Sequence, residues 1–170
     1  FYNCEKLASI MLGLSVEKIG DYAFYNTVLD KVRTYAVKTI GDYAFAENEL
    51  LEEVILRSGF KIIGEGAFMN DAALSKIEFP DTTTGIGAYA FYGCSSLTSV
   101  TIPELVERIE DYTFAYCTNL AEAIINGTIT YIGDSAFYRD VLTAFTFTEG
   151  LTENGREAFA YNALTAIDLP

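Results

Sequence analysis

A chain of 170 residues, half of them apolar and with 12 Tyr and 12 Phe, is long enough for one domain with a sizeable core and too apolar to be disordered. Its formal net charge of −13 argues against a nucleic-acid partner, which needs a basic stripe, and against an anionic membrane surface. The chain contains no His, which removes Ser-His-Asp and Cys-His catalysis and most zinc sites.

Phosphate-loop, dinucleotide and nucleophile-elbow motifs are absent as well. The expectation is a non-enzymatic protein with no cofactor and no metal. Apolar runs last only a few residues, so no transmembrane helix is expected. The chain does not begin with Met and shows no signal peptide; it opens in mid-repeat at Phe1 and closes in mid-repeat at Pro170. Stacked repeats need polar caps, so we expect a fragment of a longer array.

The organising feature is a repeat. A Phe, mostly in an Ala-Phe pair, recurs at Phe1, Phe24, Phe45, Phe68, Phe91, Phe114, Phe137 and Phe159, with spacings of 23, 21, 23, 23, 23, 23 and 22. Five residues before it stand Ile19, Ile40, Ile63, Ile86, Ile109 and Ile132, with Asn154 the outlier. Gly follows each Ile except at Glu110. Eight before the Phe stand Val16, Val37, Phe60, Thr83, Val106, Ile129 and Leu151. After the Phe comes L-x-x-I-x-I, as in Leu51-Val54-Leu56, Leu74-Ile77-Phe79 and Leu97-Val100-Ile102. Its terminal period of two predicts a short strand. The G-D-x-A-F segment predicts a turn followed by a short helical turn. A single coil buries too little to fold, so stacked neighbours must share one core. In-register parallel strands should follow, with Val100 beside Ile77 and Ala123.

This unit, I-G-x-x-A-F-x-x-C-x-x-L-x-x-I-x-I-P, resembles the BspA-like branch of the leucine-rich repeats over essentially the whole chain. The resemblance implies a right-handed coil with a parallel β-sheet on the concave face and short helical turns or loops on the convex face. It implies one solenoid over 1–170 of about seven 23-residue repeats, with no catalytic residues. It also implies a cell-surface or secreted protein and a role in adhesion, through a host matrix or cell-surface protein as partner. The alternative is a rigid structural spacer presenting another domain.

Departures from the repeat mark local differences. The Phe24 coil is two residues short, and Thr34 takes an inward strand position. Thr83 replaces the usual Val, which predicts a looser loop whose hydroxyl bonds a neighbouring backbone group. Phe145 and Phe147 predict a bulkier core in their coil. Asn126-Gly127-Thr128 is a glycosylation sequon, and Asn154-Gly155-Arg156 fills an I-G-x slot.

Three rows carry polar chemistry. Cys4, Cys94 and Cys117 stand three after the Phe, as do Asn48 and Asn162. They read as small interior residues, reduced and buried; a bridge between Cys94 and Cys117 is the other reading. Asp21, Asp42, Glu65, Asp111 and Asp134 stand three before the Phe and read as caps of the helical turns, or as a Ca²⁺ ladder. Tyr22, Tyr43, Tyr89 and Tyr112, with Tyr2, Tyr25, Tyr92 and Tyr138, read as a ring ladder on the convex side, or as a ligand platform.

The outward strand positions define the candidate partner face. They run from Ser9 and Met11 through Lys31, Arg33, Glu53, Ile55, Lys76 and Glu78 to Ala166 and Asp168. Residues 1–76 hold eight of the eleven Lys and Arg. Arg, Tyr and exposed apolar residues are enriched at interfaces. The partner site is therefore expected over Lys31, Arg33, Tyr35, Ile55, Arg57 and Lys76.

Overall fold

The structure is a computed structural model that describes residues 1–147 and 149–166. Among these residues the chain forms β1 (Lys18–Ile19), β2 (Lys31–Arg33), β3 (Thr39–Ile40), β4 (Glu53–Ile55), β5 (Ile62–Ile63) and β6 (Lys76–Glu78). It continues through β7 (Gly85–Ile86), β8 (Ser99–Ile102), β9 (Arg108–Ile109), β10 (Glu122–Ile125), β11 (Tyr131–Ile132) and β12 (Glu153–Asn154). All pairings are parallel and link the same position in successive coils, which makes the chain a β-solenoid.

Most coils contribute two strands, one to each of two sheet faces; among the described residues the first face holds five strands and the second seven. The first face carries β2-β4-β6 and then β8-β10. Its register, Val32 with Val54 with Ile77 and Val100 with Ala123, follows from turning one apolar residue of each strand inward. The second face carries β1-β3-β5-β7 and then β9-β11-β12. It is built on the Ile of Ile-Gly, which is buried from Ile19 to Ile132. Two-residue strands show no alternation, so only the first face was predictable as sheet.

The third side is a turn, and it corrects the predicted short helical turns: no helix occurs among the described residues. The residues two before and two after most of the anchor Phe have positive φ. Tyr43 and Glu47 flank Phe45 at 52° and 63°, and Tyr112 and Tyr116 flank Phe114 at 54° and 62°. Left-handed backbone costs a bulky residue roughly 1–2 kcal/mol. Here it aims alternate N–H groups at the next coil. Tyr43, Phe45 and Glu47 donate to the carbonyls of Glu65, Ala67 and Met69 at 2.7, 2.9 and 2.8 Å, and the pattern repeats along the chain. An α-helix would close its bonds within the segment and leave the coils unlinked on this side.

The anchor rings stack inside this turn column. Phe1, Phe24, Phe45, Phe68, Phe91, Phe114, Phe137 and Phe159 form an unbroken ladder with centroids 5.2 to 5.6 Å apart and planes within 14°. Phe145 also packs on Phe159 at 4.7 Å, the bulkier core expected there. The Asp row caps the neighbouring coil and not its own: Asp42 N–H donates to Asp21 Oδ1 at 3.0 Å, Glu65 N–H to Asp42 Oδ1 at 2.9 Å and Asp134 N–H to Asp111 Oδ1 at 2.8 Å.

Two expectations fail in one place. β6 and β8 lie side by side but form no ladder, so Ile77 and Val100 are not bridged; β7 and β9 are likewise unpaired. The Thr83 hydroxyl in the intervening loop is buried with no hydrogen-bond partner, so it does not bond the backbone as expected. Ile167 and Leu169, part of the last predicted strand, and the outward residue Asp168 lie outside the described residues.

Candidate functional site

The first sheet face presents its outward residues in columns set by the register. One column runs Lys31, Glu53, Lys76 and another Arg33, Ile55, Glu78. Val32, Val54 and Ile77 beneath them are buried, so the outward set stands on a fixed floor. Lys31, Arg33, Arg57 and Lys76 are exposed, Ile55 is half-buried and Tyr35 is 49% exposed. The structure thus places all six predicted residues at the surface of this face or at its strand ends.

They do not form one constellation. Ile55 and Lys76 meet Glu53 and Glu78 around a shallow hollow of about 140 Å³. There Lys76 Nζ binds Glu78 Oε1 at 2.6 Å. Hydrogen bonding in this pair raises the Lys76 pKa and lowers that of Glu78. Both groups are open to solvent, so the pair adds little stability; its effect is to neutralise Lys76. Lys31, Arg33 and Arg57 form no ion pair among the described residues. Lys31 stands opposite Glu53 across the strands, which leaves Arg33 and Arg57 as the uncompensated positive charge of the face. Downstream the face turns to Ser99, Thr101, Glu122 and Ile124.

The tyrosines cover the turn side as a partial ladder. Tyr22 stacks on Tyr43 at 5.2 Å and Tyr89 on Tyr112 at 4.9 Å, both within 12° of parallel. One face of each ring in these pairs is taken by its partner. Tyr43 Oη donates to Glu65 Oε1 at 2.7 Å, and its pKa is pushed up to about 12 by that bond and by burial. Arg139 lies over Tyr161 at 4.8 Å, and Arg108 over Tyr131 at 3.7 Å.

Inside the turn column runs a polar slot, three residues after each anchor Phe, that sequence reasoning saw only in part. Beyond Asn48, Cys94, Cys117 and Asn162 it holds Thr27, Asp71 and Asp140, and all but Asn162 are buried. Thr27 donates its hydroxyl to Asn48 Oδ1 in the next coil; the Asn and Cys occupants define a common pattern for the slot. Its side chain donates to the Phe carbonyl of the preceding coil: Asn48 Nδ2 to Phe24 O at 2.8 Å, Cys94 Sγ to Phe68 O and Cys117 Sγ to Phe91 O at 3.1 Å each, and Asn162 Nδ2 to Phe137 O at 2.6 Å. It also accepts from a backbone N–H of that coil, as Asn48 Oδ1 does from Thr27 and Asp71 Oδ1 from Asn48 at 3.0 and 2.8 Å. Asn and Cys supply both a donor and an acceptor.

A carboxylate supplies no donor. Asp71 Oδ2 and both oxygens of Asp140 have no partner. Burial pushes the Asp71 carboxyl well up, and pushes Asp140 up to about 9. Burial likewise raises the thiols of Cys94 and Cys117, and no disulfide joins them. Cys4 is exposed, contrary to expectation.

Stacked coils linked through parallel strands and a Phe-centred turn define a repeat protein of the leucine-rich kind. The chain belongs to the BspA type leucine rich repeat family, whose model matches it in six copies over residues 1–81 and 38–165. It is similar to a leucine rich cell surface protein from Faecalibacterium prausnitzii A2-165, with 31% identity over 93% of this chain and a TM-score of 0.80; the chain spans 46% of that protein. A leucine-rich repeat protein from Eubacterium ventriosum shares 22% identity over 85% of this chain and 46% of its own, with a TM-score of 0.64. The T. pallidum leucine rich repeat protein shares 24% over 73% of this chain and 71% of its own, at 0.55. The last two show the fold alone. No curated protein matches the chain.

Proposed function

We propose that the chain is a partner-binding module of a cell-surface or secreted protein and acts in adhesion, not catalysis. The partner, a host matrix or cell-surface protein, is taken up on the first sheet face over Lys31, Arg33, Tyr35, Ile55, Arg57 and Lys76. The observation that carries this is the pair Arg33 and Arg57 beside Tyr35: exposed guanidinium groups without carboxylate partners in a chain of net charge −13. Arginine and tyrosine supply much of the binding energy at protein interfaces. The similarity to a bacterial cell surface protein supports the location. The alternative, a rigid spacer, is favoured by the alternation Lys31–Glu53–Lys76, which balances charge across strands without a partner.

The test is binding of the purified chain to a panel of immobilised matrix proteins, repeated with the double variant Arg33→Glu and Arg57→Glu. The expected result is saturable binding that falls at least tenfold in a variant with an unchanged circular dichroism spectrum. Binding that survives the double change would move the site off this face, and no binding across the panel would favour the spacer.

A further inference from the structure

We propose that the solenoid opens along a seam between residues 76–86 and 99–109, while the phenylalanine side holds as a hinge. Both sheet faces part here: β6 does not pair with β8, nor β7 with β9. The turn ladder does not part. Gly66, Phe68 and Asn70 donate to Ala88, Ala90 and Tyr92 at 2.7 to 2.9 Å, and Tyr89, Phe91 and Gly93 to Asp111, Thr113 and Ala115 at 2.8 to 3.0 Å. The stacked rings of Phe68, Phe91 and Phe114 run through the same level.

The sequence explains the seam. In ordinary coils the Gly after Ile sits against the backbone of the preceding coil. A Cβ on Gly87 would lie 2.7 Å from Glu65 N and Gly64 C, closer than real contacts allow. Glu110 is the one residue at this position with a Cβ, so its coil must stand off. Gly41, Gly64, Gly87, Gly133 and Gly155 each donate to the Ile carbonyl one coil back at 2.7 to 2.9 Å, and Glu110 has no such bond. Ala88 supplies no carboxylate for the Asp111 N–H, a bond that Asp21, Asp42, Asp111 and Asp134 make elsewhere. Thr83 places an unsatisfied buried hydroxyl on one lip. A cleft lies on each face of the seam. One, of about 290 Å³, lies between Ile77 and Phe79 on one lip and Thr101 and Pro103 on the other. The second, of about 190 Å³, lies between Gly85 and Ile86 and Arg108 and Glu110.

The two lips keep apolar burial but have lost the hydrogen-bond ladder on both faces at the same level, whereas the second face is otherwise continuous from β1 to β7 and from β9 to β12. Such regions open at lower free energy than the rest of a structure. All six candidate partner residues lie on the N-terminal side of the seam. Opening therefore swings that patch relative to the Ser99–Glu122 part of the same face.

Cysteine accessibility tests this. In a Cys4→Ser background, Val100→Cys places a thiol on one lip and Val54→Cys places one at the equivalent position away from the seam; both native side chains are buried. The expected result is alkylation of the Val100→Cys thiol at least tenfold faster than the Val54→Cys thiol, while Cys94 and Cys117 on the hinge side stay unmodified. Adding Ala88→Asp with Glu110→Gly should close the seam and remove the excess. If Val100→Cys does not fold, Ile109→Cys on the same lip reads the same opening. Equal rates on and off the seam, or labelling of Cys94 and Cys117 in step with it, would overturn the proposal.

Discussion

Replacing Asp140 with Asn should stabilise the protein, and more strongly the higher the pH. Asp140 is 3% exposed and its carboxyl is pushed up to about 9 from an ordinary 3.8. The folded state therefore keeps a proton that the unfolded state gives up between those values. Stability from this group is fully present below pH 3.8 and is lost as pH rises through about 9. At pH 7 the lag is about three pH units, and at about 1.36 kcal/mol per unit the ceiling is about 4 kcal/mol. Asn removes that penalty and supplies the donor and acceptor the slot requires, as Asn48 and Asn162 do. We expect a gain of about 1 to 4 kcal/mol at pH 7. That is several degrees in melting temperature for a chain of this size. The gain should shrink toward zero near pH 4. Urea unfolding of both proteins at pH 4, 7 and 9 measures it, and the difference between them cancels the other carboxylates. A gain independent of pH, or a loss at pH 7, would refute the requirement for a neutral donor in the slot.

Phe91 is wholly buried between Phe68 and Phe114, 5.4 Å from each; Phe91→Ala should cost roughly 3–5 kcal/mol, read as a lower urea midpoint. Native alkylation followed by mass spectrometry should add one label, at Cys4, while Cys94 and Cys117 react only after denaturation, because burial holds both as neutral thiols.

The repeat was legible because one residue type in one position determines so much. Each Phe ring stacks on the equivalent ring in the next coil, so spacing alone located the coils and put Val100 beside Ala123. The turn was misread as helical because positive φ has no marker in Tyr43, Tyr89 or Tyr112, which are poor residues for it. Their conformation is imposed by the next coil, through bonds that no local pattern announces. The second sheet face escaped for a related reason: a strand of two residues buries one Ile, which looks the same in a turn. Asp71 and Asp140 were overlooked because a carboxylate is not an expected occupant of a buried slot. The slot could have been found by reading down the column three after each Phe, where Thr, Asn, Asp and Cys alternate.

The candidate partner face was legible as a row but not as a site. Alternation identified the outward residues; whether their charges are free depends on register and rotamer. In-register stacking puts Glu53 between Lys31 and Lys76, and Lys76 then pairs with Glu78 on its own strand. The basic half of the chain therefore presents less net charge than its composition suggests. Arg33 and Arg57 escape because their cross-strand neighbours bring no carboxylate: β4 places Ile55 beside Arg33, and the Arg57 position falls beyond the strand end. A partner with a carboxylate beside an apolar group would meet both arginines and Ile55 without displacing an existing ion pair. Binding through Lys76 would first have to break one.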